Sequence, residues 1–143
     1  MIENISLVSV YCLDQSATRD FYVRHLGFEP RVDATMGDFR WVTITHPNQP
    51  ELQVTLRVPG PPMSPEAAAF IRTQLESGQM GGLGLKVDDC RKTSAALAAA
   101  GVTFIQEPAD RPYGVEAVIR DNTGNWLTLV EPKPYTQDDL KDF

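Results

Sequence analysis

The stretch "ISLVSVYCLDQSATRDFYVRHLGFEP", residues 5–30, has a distant echo in "GLGLKVDDCRKTSAALAAAGVTFIQEP", residues 82–108. Each begins with an apolar, strand-like run and continues through aspartate into an amphipathic segment. Each then stops at a glycine and resumes as a strand, with a Glu-Pro pair shortly after the glycine. In the first copy the strand is read from about Ile5 to Leu13. Asp14 caps the helix, apolar Ala17, Phe21, Tyr22 and Leu26 recur at helical spacing, and Gly27 supplies the stop.

The likeness extends outward from this pair. After Gly27 come "FEPRVDAT", "FRWVTITH" and "ELQVTLRV"; after Gly101 come "VTFIQEP", "VEAVIRD" and "NWLTLVEP". Helix-ending Gly27 and Gly101 are 74 residues apart, as are Asp14 and Asp88, read as the two helix starts. Leu52 and Val54 fall on Leu127 and Leu129 at an offset of 75. A near-constant offset over most of a chain marks an internal duplication. The expected fold is α+β, two βαβββ modules over residues 5–57 and 82–132 within one domain of 143 residues. Between them, residues 58–81 read as a linker with a short helix, started by Ser64 and Pro65, that covers a pocket or packs at the side. Residues 133–143 form a polar tail, expected to be loose or to dock on a partner subunit.

Bulk properties exclude several functions. A net charge of −6 and a pI near 4.8 argue against nucleic acid as a partner. No apolar run approaches the ~20 residues of a membrane span, and the N-terminal segment lacks the features of a signal peptide. Cys12 and Cys90 form no ligand motif and read as packed, reduced thiols, so the expected location is cytoplasmic. There is no nucleophile elbow, phosphate-cradling loop or HExxH, and no catalytic residue can be assigned.

The doubled unit, the Asp14–Phe28 pattern "DQSATRDFYVRHLGF" and the "RPYG" to "DNTGN" pattern from Arg111 to Asn125 resemble the vicinal oxygen chelate superfamily. That superfamily contains glyoxalases, extradiol dioxygenases and bleomycin-resistance proteins. The resemblance implies a curved mixed sheet around a cavity and a homodimer. It also implies that catalytic members hold a divalent metal on His and Glu from the first and last strands of each module. Much of the shared pattern is structural. Phe21 and Tyr22 read as core, Gly124 as a turn glycine, and Asp121 and Asn125 as partners of turn amides.

Strand alternation locates the cavity face. Leu127 and Leu129 pack against the helix, leaving Trp126, Thr128 and Val130 on the other side. By the same count Leu7, Ser9 and Tyr11 face the cavity from the first strand, and Glu51, Gln53 and Thr55 from the fourth. In the second module Gly82, Gly84 and Lys86 do so. The four positions that the resemblance gives to the metal ligands of catalytic members read Leu7, Gln53, Gly82 and Thr128 here, none a good donor. His25 and His46 lie near a helix end and a strand end and do not complete a set. No metal or other cofactor is expected.

The expected ligand-binding residues are Leu7, Ser9, Tyr11, Gln53, Thr55, Trp126 and Thr128, with Trp41 and Tyr113 at the rim. Such a lining suits an aromatic or amphipathic small organic molecule. The resemblance is to the metal-free bleomycin-resistance branch, in drug tolerance or secondary metabolism. Alternatives are a metal-dependent or metal-free lyase, isomerase or dioxygenase of the same superfamily, or a dimeric structural or regulatory protein with a vestigial cavity.

Overall fold

A computed structural model describes residues 1–141 and 143. They form two compact units: Met1–Met80 with Asn122–Gly124, and Gly81–Asp121 with Asn125–Phe143.

The first unit contains β1 (Leu7–Tyr11), α1 (Gln15–Leu26), β2 (Glu29–Met36), β3 (Phe39–His46), β4 (Gln49–Arg57) and α2 (Pro65–Glu76). Its sheet runs β1-β4-β3-β2, with β1 parallel to β4 and the other pairs antiparallel. α1 starts where the Asp14 carboxylate accepts a hydrogen bond from the Ala17 amide at 2.9 Å, satisfying an amide that the helix leaves unpaired. It stops at Gly27, whose φ of 75° favours glycine. The helix buries Thr18 and Tyr22. Tyr22 has no exposed surface, and the core around it includes Val10, Cys12, Phe28, Val42, Ile44, Val54 and Leu56. Phe21 lies at the margin, packed edge-on against Tyr22 and tilted over His25.

The segment expected as a linker is part of this unit. α2 is capped by Ser64, which accepts from the Ala67 amide at 3.2 Å, and buries Leu75. The turn 122–124 also belongs here: the Asn122 side-chain amide donates to the buried Thr18 hydroxyl at 3.0 Å. Gly124, with φ 107°, brings its backbone near Leu75 and Gly78, so the turn needs a glycine there.

The second unit contains β5 (Gly81–Lys86), α3 (Cys90–Ala99), β6 (Phe104–Arg111), β7 (Gly114–Arg120), β8 (Trp126–Pro132) and a short 3-10 turn, Gln137–Leu140. Strand order β5-β8-β7-β6 repeats that of the first sheet, with β5 parallel to β8. The N-cap of α3 is Asp89, which accepts from the Lys92 amide at 2.9 Å, and not Asp88. Duplicate helix caps are therefore 75 residues apart. The core joins Cys90 and Leu97 to Ala117, Ile119, Leu127 and Leu129. Burial raises the Cys90 thiol pKa, which keeps it protonated and unreactive. Asp121 and Asn125 bond each other's backbone and side chains across the β7–β8 turn, as the sequence suggests. In the tail, Tyr135 and Phe143 lie edge-on against Tyr113 at 6.4 and 5.8 Å.

The strand between the glycines departs from the sequence reading. Gly81 pairs with Trp126 and Gly84 with Thr128, so the register slips between them. A side chain at Gly82 would strike Leu127 in the core, whereas one at Gly84 would meet Thr128 Oγ1. Gly82 therefore leaves the cavity face, and Gly84 takes its place beside Thr128. Glycine has no side chain whose burial would hold strict alternation, so the strand can bulge.

Candidate functional site

The sheet face opposite α1 carries the residues the sequence assigns to a cavity. In the first unit Leu7 is opposite Gln53, Ser9 opposite Thr55, and Tyr11 opposite Arg57. Leu7 and Ser9 are exposed, Tyr11 and Gln53 partly buried, and Thr55 fully buried. Gln53 is committed within the sheet: its Oε1 accepts from the Thr43 hydroxyl at 2.8 Å.

Cavity formation follows from a failure of strand pairing. β3 and β4 are joined at Thr43–Thr55 and Ile44–Val54, but residues 39–42 of β3 pair only with β2. Residues 56 and 57 of β4 pair only with β1. Into this gap the Gln15 side-chain amide projects from the start of α1. It donates to the carbonyls of Arg40 at 3.1 Å and Leu56 at 2.9 Å, satisfying acceptors left by the separated strands. Beside it lies a pocket of about 220 Å³, walled by Phe39, Trp41, Thr55, Arg57, Val58 and Pro61. The Phe39 and Trp41 rings lie 6.2 Å apart, tilted by 32°. α2 supports the segment that supplies Val58 and Pro61, because Arg72 donates to the Pro59 carbonyl at 3.2 Å.

Two arginines meet this pocket in different states. Arg40 is occupied: it grips Asp33 through Nε and Nη2 at 2.9 and 2.8 Å and donates from Nη1 to Ser16 at 2.9 Å. These contacts with Arg40, joined by Arg19, lower the Asp33 carboxyl pKa to about 2. Arg57, a partly buried residue, has no hydrogen-bond or ion-pair partner among the described residues.

In the second unit Trp126 is 40% exposed and its indole lies across Gly81, where any side chain would collide with it. Thr128 and Val130 follow on the same face and are partly buried. Tyr113 sits at the β6–β7 turn, in a group that sequence reasoning did not anticipate. Arg111 donates to Gln106 at 2.9 Å and stands 3.7 Å from the Glu116 carboxylate. Burial, then a hydrogen bond with Glu116, pushes the Tyr113 hydroxyl pKa up.

Strand alternation carried two residues further along β4 would have placed Arg57 beside Thr55, and the pairing of β7 with β8 sets Glu116 opposite Val130. Gln15 gave no comparable signal, because its role depends on a gap between strands. His46 turns away: its ring packs against Phe28 at 5.3 Å, and its Nδ1 accepts from the Asn48 amide.

These donor sets do not fit a metal. Leu7 and Gly84 supply no ligand atom, Thr128 offers only a hydroxyl, and the Gln53 oxygen is already engaged. No group of three or more His, Cys, Asp or Glu side chains among the described residues could hold one. Also among them, no helix is long and apolar enough to cross a membrane.

Known proteins show the same architecture. The chain is 30% identical over 127 residues to YurT, an uncharacterized protein of Bacillus subtilis (strain 168), covering 89% of this chain and 98% of YurT. The crystal structure of UcmS2 superimposes with a TM-score of 0.83 at 42% identity, covering 92% of this chain and 99% of UcmS2. TnmS3, an antibiotic binding protein from Streptomyces sp. CB03234, gives a TM-score of 0.73 at 29% identity, with 92% and 98% covered. Residues 4–129 match the family pattern described as the Glyoxalase/Bleomycin resistance protein/Dioxygenase superfamily. The chain, with its two βαβββ units, belongs to that superfamily.

Proposed function

We propose that this protein binds a small aromatic or amphipathic organic molecule without a resident metal, in drug tolerance or secondary metabolism. The carrying observation is the pocket at the parting of β3 and β4, where Phe39 and Trp41 offer ring faces. TnmS3 is an antibiotic binding protein, which supports a similar task for this chain. In this reading Leu7, Ser9, Tyr11, Gln53 and Thr55 extend the binding face of the first unit, and Tyr113, Trp126 and Thr128 serve that of the second. The reading includes a homodimer, which sedimentation velocity would test.

Trp41 and Trp126 are the two tryptophans of the chain, so their fluorescence reports each face separately. The Trp126→Phe variant isolates Trp41, and Trp41→Phe isolates Trp126. Titration with a panel of aromatic antibiotics and 8-anilinonaphthalene-1-sulfonate should quench Trp41 saturably, unchanged after dialysis against EDTA. Loss of binding in EDTA, restored by manganese, zinc or iron, would overturn a metal-free site. Failure of every compound to quench either tryptophan would overturn binding itself.

A second reading, a metal-free enzyme, rests on the partly buried Glu116 carboxylate between Arg111 and Tyr113. Turnover lost in Glu116→Gln, with ligand affinity retained, would favour it.

A further inference from the structure

We infer that the pocket between β3 and β4 selects a planar aromatic acid, with Arg57 as its specificity-determining residue. The inference rests on the binding function proposed above and adds the chemical class of the ligand.

Size sets the first condition. At about 220 Å³ the pocket falls below the roughly 300–1,000 Å³ of sites that enclose drug-sized molecules. It accommodates a one- or two-ring group, either a whole small molecule or one end of a larger one. Shape sets the second. Phe39 and Trp41 provide the aromatic surface, and Val58 and Pro61 add apolar atoms to the lining. A flat ring gains most against such a surface.

Charge decides the third. Asp33 and Ser16 consume the hydrogen-bonding arms of Arg40, which leaves little for a ligand. The Gln15 amide is likewise spent on two backbone carbonyls. Arg57 lines the same pocket, is partly buried, and has no partner among the described residues. A guanidinium lining an aromatic pocket matches a carboxylate through two parallel N–H···O bonds. Asp38 also borders the pocket but is exposed on the β2–β3 turn, where water screens its charge. It disfavours a second acidic group on the ligand, so a single acid paired with Arg57 is the best match.

The test uses three probes of equal ring size on the intact protein at pH 7: 2-naphthoate, neutral 2-naphthol and 2-naphthylmethylammonium. Binding is followed by Trp41 fluorescence in the Trp126→Phe background and by calorimetry. We expect naphthoate to bind about tenfold or more tightly than naphthol, and the ammonium compound to bind weakest. Arg57→Gln should erase the preference for the acid while leaving naphthol affinity within about twofold. Arg57→Lys should restore part of it, because a point charge replaces the planar fork. Trp41→Ala should weaken all three. Equal affinities in the unsubstituted protein, or a preference that survives Arg57→Gln, would overturn the role of Arg57 while leaving small-molecule binding intact. If no probe binds at millimolar concentration while another compound quenches Trp126, the pocket itself is misassigned. If nothing quenches either tryptophan, the underlying binding function falls as well.

Discussion

Removing the Gln15 amide tests how the pocket is built. Its two hydrogen bonds, 3.1 Å to Arg40 and 2.9 Å to Leu56, occupy carbonyls that no strand partner reaches. A neutral hydrogen bond contributes about 0.5–1.5 kcal/mol, so Gln15→Ala should cost about 1–3 kcal/mol. Alanine is the better helix former by a few tenths, a small offset in the other direction. For a chain of this length, a 2 kcal/mol loss lowers Tm by roughly 6–10 °C. Gln15→Glu gives the sharper contrast. A carboxylate at the first position of α1 should gain about 0.3–1 kcal/mol from the helix dipole if only the helix end matters. It cannot donate, however, and it would face two carbonyl oxygens, so it should be at least as destabilised as Gln15→Ala. Urea and thermal unfolding by far-UV circular dichroism at pH 7 measure both. Should Gln15→Glu match or exceed the unsubstituted protein in stability, the bridging role assigned to the amide would be refuted.

Acid unfolding should have a component from Asp33. Its pKa is lowered from 3.8 to about 2 by Arg40 and Arg19, so its stabilisation is present above about pH 4 and lost as pH falls toward 2. In Asp33→Asn that part of the stability–pH curve should flatten; an unchanged slope would dissociate the ion pairs from stability. Gly114→Ala should disrupt the β7–β8 pair, because φ is 142° and the new methyl would press on the Glu131 carbonyl. A destabilisation of at least about 1–3 kcal/mol is expected, and a neutral result in urea unfolding would contradict that close approach. Introducing donors at the paired positions, Thr128→Glu with Gly84→His, should raise affinity for zinc or manganese more than Thr128→Glu with Gly82→His, by calorimetric titration. An advantage for the Gly82 pair would show that the bulged register of β5 is wrong.

The duplication, the element order and the solvent side of β8 are all legible in the sequence, because aspartate caps, glycine stops and alternating leucines report local backbone geometry directly. Leu127 and Leu129 are buried as that alternation requires, and Trp126 and Thr128 lie on the opposite face. Where side chains vanish, the signal fails. Between Gly81 and Gly84 nothing in the sequence pins the register, and counting from the first module puts Gly82 on the wrong face. The pocket was hidden for another reason. It exists because β3 and β4 stop pairing at Thr43 and Thr55, a property of two distant segments that neither displays alone. Asp89 rather than Asp88 as the cap of α3 is a one-residue ambiguity between adjacent identical residues, settled by which carboxylate reaches the Lys92 amide.

The order in which the chain is synthesised gives the turn at residues 122–124 another meaning. The first unit contains Met1–Met80 but also Asn122–Gly124, whose side chain and backbone complete the surroundings of Thr18 and Leu75. The β1 strand must first wait for β4, since Leu7 pairs with Gln53. A ribosome that has made the first 80 residues has therefore produced every strand of the first sheet, but not everything that its helices pack against. A fragment ending there should be less protected from proteolysis than the same residues in the whole chain. The final covering arrives only with the last hairpin, so the amino-terminal half reaches its mature form late in translation.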